Sequence, residues 1–341
     1  MTDVSPNTNR KLLLDRRPVG FAKESDWKLV SEPVPVPDEG RFVVRVRQIS
    51  LDPAMRGWMN SGRSYIPPVA IGEVMRAFAL GEVVDSKATD FPVGTLVTGA
   101  FGVQEYAVSS GDGVSVINQN LDVPASAYLG VLGITGATAY FGLTDVGEFQ
   151  PGQTVFVSGA AGAVGSTVGQ IVKILGGKVI GTAGGRAKCD FLVNELGFDG
   201  AIDYKSENVG EELRRLAPGG VNVFFDNVGG EILDAGLSNL AMRARVVVCG
   251  AISQYNSTEV TAGPTNYRAL LVKRARMEGM VVFDYEDRMA EAVTPLAQWM
   301  SEGKLNNIED IVTGSILEFP QTLMRLFEGQ NVGKQILDLG A

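Results

Sequence analysis

"VSGAAGAVGSTVGQIVKILG", residues 157–176, reads as the end of a strand, a glycine-rich turn and a helix. The preceding "QTVFVSG" is apolar and β-branched, and residues 163–175 repeat Val, Ile and Leu at helical spacing. Set against G-x-G-x-x-G, the turn is Ala160-Ala161-Gly162-Ala163-Val164-Gly165, with Ala in place of the first glycine. Gly162 would let backbone amides approach a pyrophosphate. Gly165 would let the helix pack closely on the strand, and the helix N-terminus would face the anion. A tight turn that binds nothing shares this pattern, so its surroundings decide. They supply "KVIGTAG" as a second strand and a helix over 187–196. "AIDY", "VNVFFDNVGG" and "ARVVVCGAIS" follow as strands, with "EELRRLA" and "EILDAGLSNLA" as helices between them. Alternation at this spacing predicts an α/β, doubly wound parallel sheet with helices on both faces.

The alternation begins near residue 129. Before it the chain is β-rich: "RFVVRVRQISLDP" and "GTLVTGAFGVQEYAVSS" place branched residues between Gly and Pro, and "SEPVPVPDEG" is a loop or edge. After about residue 303, "LEFPQTLMRLFEGQNVGKQILDLG" reads as an amphipathic helix, a turn and a strand. From the residues alone, this tail could finish the nucleotide domain or return to the first one.

The 341 residues suffice for two domains, and 45% hydrophobic with 20% charged residues is globular composition. A net charge of -9 without a basic block argues against nucleic acid or anionic membrane as the main partner. No stretch reaches the roughly 18 apolar residues of a membrane span. With two cysteines, Cys189 and Cys249, and no apolar leader in the first twenty residues, a reduced, cytoplasmic protein is expected.

The end of the second strand bears on which nucleotide binds. An NAD site usually carries Asp or Glu there for the ribose hydroxyls. This chain has "TAGGRAK", with no carboxylate until Asp190. Arg186 and Lys188 stand near where an adenosine 2′-phosphate would lie, beside free amides at a helix N-terminus. One charge-assisted hydrogen bond contributes about 1.5–3 kcal/mol, roughly 10- to 150-fold in affinity. NADPH is therefore expected over NADH.

The chain has no histidine and two cysteines, which excludes catalytic and structural zinc sites and every histidine-dependent hydrolase. None of its eight tyrosines has Lys four residues on, so the short-chain dehydrogenase pair is absent. What remains is positioning, neutral hydrogen-bond donors and the cofactor's own chemistry. An α,β-unsaturated carbonyl suits that equipment. Its β-carbon is already electrophilic, and only a developing enolate oxygen needs a donor.

Here the residues resemble a family. "LDPAMRGWM" is similar to the "DPxMRG" segment of the zinc-free medium-chain reductases, and "AAGAVGSTVGQI", "FFDNVGGE", "CGAISQYN" and "GQNVGKQIL" match the same branch in order. That branch holds prostaglandin reductases (leukotriene 12-hydroxydehydrogenase among them), plant 2-alkenal double-bond reductases and bacterial curcumin reductase. The resemblance implies a GroES-like β-rich catalytic domain over 1–128, a Rossmann NADP-binding domain over 129–302 and a return to the catalytic domain over 303–341. It implies NADPH-dependent reduction of activated carbon–carbon double bonds without metal, and a homodimer through the Rossmann sheet.

By position, the resemblance puts Ala161, Gly162, Ala163 and Val164 in the pyrophosphate loop. Gly184, Lys188 and Tyr204 fall at the adenosine phosphate. Asn227, Cys249 and Asn331 become further cofactor contacts. Tyr255 would donate to the enolate oxygen and Tyr65 would line the substrate pocket. Arg56 stands between a substrate contact and a loop brace, and Cys189 is expected to be inert helix core. Many relatives carry Tyr where this chain has Ala54, which leaves more space and one donor fewer, so no particular enone is assigned. A zinc-free quinone reductase would share sheet and cofactor, and a non-catalytic NADPH-binding redox sensor is the rival from another class.

Overall fold

The structure is a computed structural model that describes residues 8–340. In chain order, the strands of the first part are β1 (Thr8–Leu14), β2 (Trp27–Pro33), β3 (Phe42–Ser50), β4 (Ala79–Ser86), β5 (Leu96–Gly99), β6 (Tyr106–Ser109) and β7 (Ser115–Val116), with the short helix α1 (Ala54–Trp58) after β3. Then come α2 (Ile134–Phe141), β8 (Thr154–Val157), α3 (Ala163–Ile174), β9 (Lys178–Ala183), α4 (Arg186–Asn194), β10 (Gly200–Asp203), α5 (Val209–Leu216), β11 (Val221–Asp226), α6 (Gly230–Ser238), β12 (Leu240–Val248), α7 (Arg268–Lys273), β13 (Arg276–Gly279) and α8 (Met289–Ser301). The tail adds β14 (Glu309–Thr313), α9 (Phe319–Phe327) and β15 (Lys334–Asp338).

The chain divides into two compact units. One comprises the residues through Leu129, Asp310–Gln330 and the chain from Lys334 on. The other comprises Gly130–Glu309 with Asn331–Gly333.

In the first unit a seven-stranded sheet runs β14-β15-β3-β4-β5-β7, with β6 also on β3, and β1-β2 form a separate hairpin. β15 lies antiparallel to β3, with Ile336 opposite Ser50. The tail strand, whose destination the residues alone left open, thus joins the first sheet. Its core gathers Phe42, Val44, Met55, Trp58 and Met75 with Phe319 and Leu323 of α9. Burying side chains of this size stabilises by about 1.5–3 kcal/mol each.

The second unit holds six strands in the order β10-β9-β8-β11-β12-β13. Every pairing in it is parallel. The order reverses between β8 and β11, the crevice where nucleotides bind in doubly wound sheets. Helices cover both faces, as Phe224 and Phe225 demonstrate. Adjacent strand residues face opposite ways. A methyl on Gly236 of α6 would lie 2.2 Å from the Phe224 ring, and one on Gly142 after α2 would lie 2.6 Å from the Phe225 ring. Both glycines exist so that helical backbone can lie on an aromatic ring.

Candidate active site

The glycine turn carries its conformation one residue earlier than the motif alignment suggests. Gly159, not Ala160, takes the left-handed angle, at φ 59°. The working spacing is Gly159-x-x-Gly162-x-x-Gly165, which three glycines at intervals of three could have disclosed. Gly162 is the N-cap of α3 and offers no side chain to cap it. A methyl at Gly165 would come within 2.5 Å of the Gly159 carbonyl oxygen and 2.8 Å of Ala160 Cα. Backbone thus meets backbone at the helix entry, and the uncapped first turn presents its amides, the cradle a pyrophosphate needs. Ala163 and Val164 open that turn. The Gly333 amide donates to the Ala161 carbonyl at 2.8 Å, so the segment Asn331–Gly333 braces the loop.

Asn331 is buried, and its Nδ2 donates to the Gly333 carbonyl at 2.9 Å. Its own carbonyl accepts from Lys188 Nζ at 2.6 Å. Arg186 is strongly exposed and pairs with Asp190 at 2.8 Å, one helical turn on. Gly184 packs against Tyr204: a methyl there would meet the Tyr204 hydroxyl at 2.9 Å and Lys205 Cε at 3.0 Å. These residues gather at the exits of β9 and β10.

One expectation for this edge needs correction. The Gly185 amide at the N-cap of α4 is not free, because it donates to Asp203 Oδ1 at 2.8 Å. Asp203 is also the carboxylate that the stretch after β9 lacks; it arrives from the end of β10. Its oxygens accept from Lys205 N at 3.1 Å and Ser206 Oγ at 2.9 Å as well. Chiefly through the Gly185 amide, these bonds hold its carboxyl below the usual carboxylate range. Asp203 therefore fastens two turns.

At the exits of β8, β11 and β12 lies a second group. Asn227 donates from its backbone to Ser158 Oγ and from Nδ2 to the Ser158 carbonyl, both at 2.8 Å. Cys249 and Gly250 donate to the Asp226 carbonyl at 2.8 and 3.2 Å. Ile252 N donates to the Asn227 carbonyl and Ser253 N to that of Val228, each at 3.2 Å. The loop carrying Tyr255 is thus stitched to the loop carrying Asn227. Tyr255 Oη accepts from the Ala251 amide at 3.2 Å. A methyl on Gly250 would lie 3.1 Å from that hydroxyl and 3.3 Å from the Asn227 carbonyl oxygen. Accepting from Ala251 anchors the phenol oxygen within its own loop. Burial, and next the Asp226 charge, push the Cys249 thiol up to about 12. At neutral pH it is a protonated packing group. Cys189, buried in α4, is likewise raised, first by burial.

In the first unit, Arg56 is 3% exposed. Its guanidinium donates to the carbonyls of Gly20 and Pro18 and to Asn60 Oδ1. All three acceptors belong to loops, so of the two roles open to Arg56 the geometry favours the brace. Tyr65 is more than half exposed, and its hydroxyl accepts from Trp58 Nε1 at 3.4 Å. Ala54 opens α1 and packs against the first unit's core.

Two family models match the chain: the N-terminal domain of oxidoreductase over residues 10–117 and zinc-binding dehydrogenase over residues 163–299. The second model's name has no ligand set here: the chain has no histidine, and no group of three or more His, Cys, Asp or Glu among the described residues could hold a metal ion. The chain is 39% identical over 334 residues to the NADPH-dependent curcumin reductase of Escherichia coli, covering 96% of each chain. It is 38% identical over 335 residues to the NADP-dependent 2-alkenal reductase of Nicotiana tabacum, covering 97% of each. The crystal structure of CurA in complex with NADPH from Vibrio vulnificus superposes with a TM-score of 0.91 at 39% identity, covering 97% of this chain and 99% of that one.

Proposed function

Because the chain belongs to the zinc-independent medium-chain dehydrogenase/reductases, in the branch of the curcumin, 2-alkenal and prostaglandin reductases, and is an NADP-dependent oxidoreductase, we propose that it saturates the carbon–carbon double bond of α,β-unsaturated aldehydes and ketones. NADPH, when bound, would supply the hydride for the β-carbon, and the α-carbon of the resulting enolate then takes a proton from water, leaving NADP+ and the saturated carbonyl compound. Tyr255 donates to the carbonyl oxygen as enolate charge develops there. Gly162 and the first turn of α3 hold the pyrophosphate, with Ala161, Ala163, Val164 and Gly165 shaping that loop. Gly184, Lys188, Tyr204 and Arg186 form the adenosine-phosphate edge. Asn227, Cys249 and Asn331 contact the remainder of the cofactor. Tyr65 lines the substrate side, and Arg56 braces the loop behind it. The boundaries 128 and 303 expected from the sequence shift: the residues through Leu129 with Asp310–Gln330 and the chain from Lys334 on serve as the catalytic domain, and Gly130–Glu309 with Asn331–Gly333 as the cofactor domain.

The observation that carries this reading is the anchored phenol. Tyr255 is held through Ala251 and Gly250 beside Asn227, at the carboxyl edge of a parallel sheet. Neutral donors fixed before the reaction are what an enolate requires, because they need no reorganisation as charge appears. Tyr255→Phe tests it. Turnover with a small enal is expected to fall about 100- to 1,000-fold, the usual loss for one such donor, while NADPH binding stays near wild type. An unchanged turnover number removes the role. Faster oxidation of NADPH by a benzoquinone than by any enal or enone moves the assignment to a quinone reductase.

We also infer a cytoplasmic homodimer. No helix among the described residues is long and apolar enough to cross a membrane. The edge strand β13, "RMEG", is exposed along its whole length. Antiparallel pairing with a second copy about Met277 sets Arg276 opposite Glu278 of the other chain, a complementary cross-strand pair.

A further inference from the structure

Asp226 closes β11 and is fully buried. It pairs with no cation among the described residues. Its side chain accepts from Ser158 Oγ at 2.6 Å and Val228 N at 3.1 Å, and from Gly229 N at 3.2 and 3.1 Å. Gly229 sits at φ 74°, so the chain turns sharply around the carboxylate. Ser158 Oγ in turn accepts the Asn227 amide at 2.8 Å. We propose that Asp226 is a positioning residue for cofactor binding, its carboxylate fixing the Ser158 hydroxyl and, through it, Asn227 at the crevice between β8 and β11.

The role calls for a carboxylate in particular. A hydroxyl has one hydrogen to give and two lone pairs to receive with. An ionised carboxylate only accepts, so the single Ser158 hydrogen must point at Asp226 and a lone pair is left for the Asn227 amide. An asparagine at 226 would keep its oxygen for Ser158, Val228 and Gly229 at the Oδ1 position, but it would lose the charge that strengthens the Ser158 bond and would set an NH2 beside the Gly229 amide where Oδ2 now accepts. The arrangement has a penalty. Burial pushes the Asp226 carboxyl up in spite of its hydrogen bonds, because charge without a counter-ion is disfavoured in the interior. A group that opposes stability at the cofactor edge fits a functional role better than a packing role.

The inference rests on the proposed contact between Asn227 and the cofactor, so the test carries an arm for each. NADPH dissociation constants, from nucleotide fluorescence, and apo melting temperatures at neutral pH are measured for Asp226→Asn, Ser158→Ala, their double variant and Asn227→Ala. Each single variant is expected to weaken NADPH about tenfold or more, as for loss of a bond to a charged group. The double variant should be no weaker than the worse single, since both act along one path. Asp226→Asn should melt no lower than wild type. If it does not fold, Ser158→Ala, which cuts the same path and leaves the carboxylate in place, decides. Loss of affinity matched by a lower melting temperature makes Asp226 a stability residue and overturns the proposal, as do additive effects. A weakened Asn227→Ala beside unchanged Asp226→Asn and Ser158→Ala overturns the proposal and leaves the cofactor reading standing. An unaffected Asn227→Ala removes that contact, and the proposal with it.

Discussion

Gly165→Ala is the sharpest mechanical perturbation of the phosphate turn. The new methyl falls 2.5 Å from the Gly159 carbonyl oxygen, 2.8 Å from Ala160 Cα and 3.0 Å from the Gly159 carbonyl carbon, where ordinary contact begins at 3.4 Å. All three atoms are backbone, so no side chain can swing aside. Relief requires α3 to withdraw from the turn by roughly 1 Å, an overpacking shift that costs about 1–3 kcal/mol. At about 2–4 °C per kcal/mol for a unit of this size, the melting temperature should fall by about 2–12 °C. The same withdrawal carries the first-turn amides off the pyrophosphate, and misplacing positioning groups by about 1 Å can lose on the order of 100-fold. Calorimetry of the apo protein and fluorescence titration with NADPH measure the two effects. Gly184→Ala is the control: its methyl meets only the Tyr204 hydroxyl end and Lys205 Cε, which can move. It should therefore melt close to wild type. A Gly165→Ala protein that melts and binds NADPH like wild type would refute the idea that close helix–turn approach sets the phosphate site.

Three further outcomes follow from the geometry. Lys188→Glu should raise the Michaelis constant for NADPH far more than for NADH, and a lowered melting temperature should accompany it because Nζ also holds the Asn331 carbonyl; equal effects on both cofactors would withdraw the 2′-phosphate role. The depressed Asp203 carboxyl stabilises the fold above its unfolded pKa of about 3.9, and that contribution disappears as pH falls through the lower folded value. Melting temperatures below pH 5 should therefore drop more for wild type than for Asp203→Asn, and parallel curves would contradict this. Glu278→Arg should shift the protein from dimer to monomer in light scattering, with Arg276→Glu added to it restoring the dimer; an unaltered mass in Glu278→Arg would count against the β13 interface.

The parts of this molecule that could be read along the chain are those whose signal is local. "VNVFFDNVGG" announces a buried strand because both faces of β11 are covered, so it has no polar alternation to confuse. The helix expected over 163–175 ends at Ile174, and the one expected over 187–196 runs Arg186–Asn194. β13 gives no strand signal because "RMEG" is an exposed edge with no apolar run. α2 gives no amphipathic signal because "ITGATAYF" mixes glycine and threonine into a helix buried on most sides. The hidden members of the site are long-range. Asp203 meets Gly185 across 18 positions and Ser158 meets Asp226 across 68, and no window along the chain links either pair. Arg56, which the "DPxMRG" segment leaves open to a brace or a substrate contact, donates to loop oxygens 36 and 38 positions away, partners that no local window contains.

The most direct measurement is the identity of the product formed from NADPH and a small enal. Magnetic resonance and mass spectrometry should find the saturated aldehyde, with the carbonyl intact and the transferred hydrogen on the β-carbon. An allylic alcohol, with the double bond kept and the carbonyl reduced, would mean that this chain activates carbonyls for direct attack, and the enolate-stabilising role of Tyr255 would be wrong.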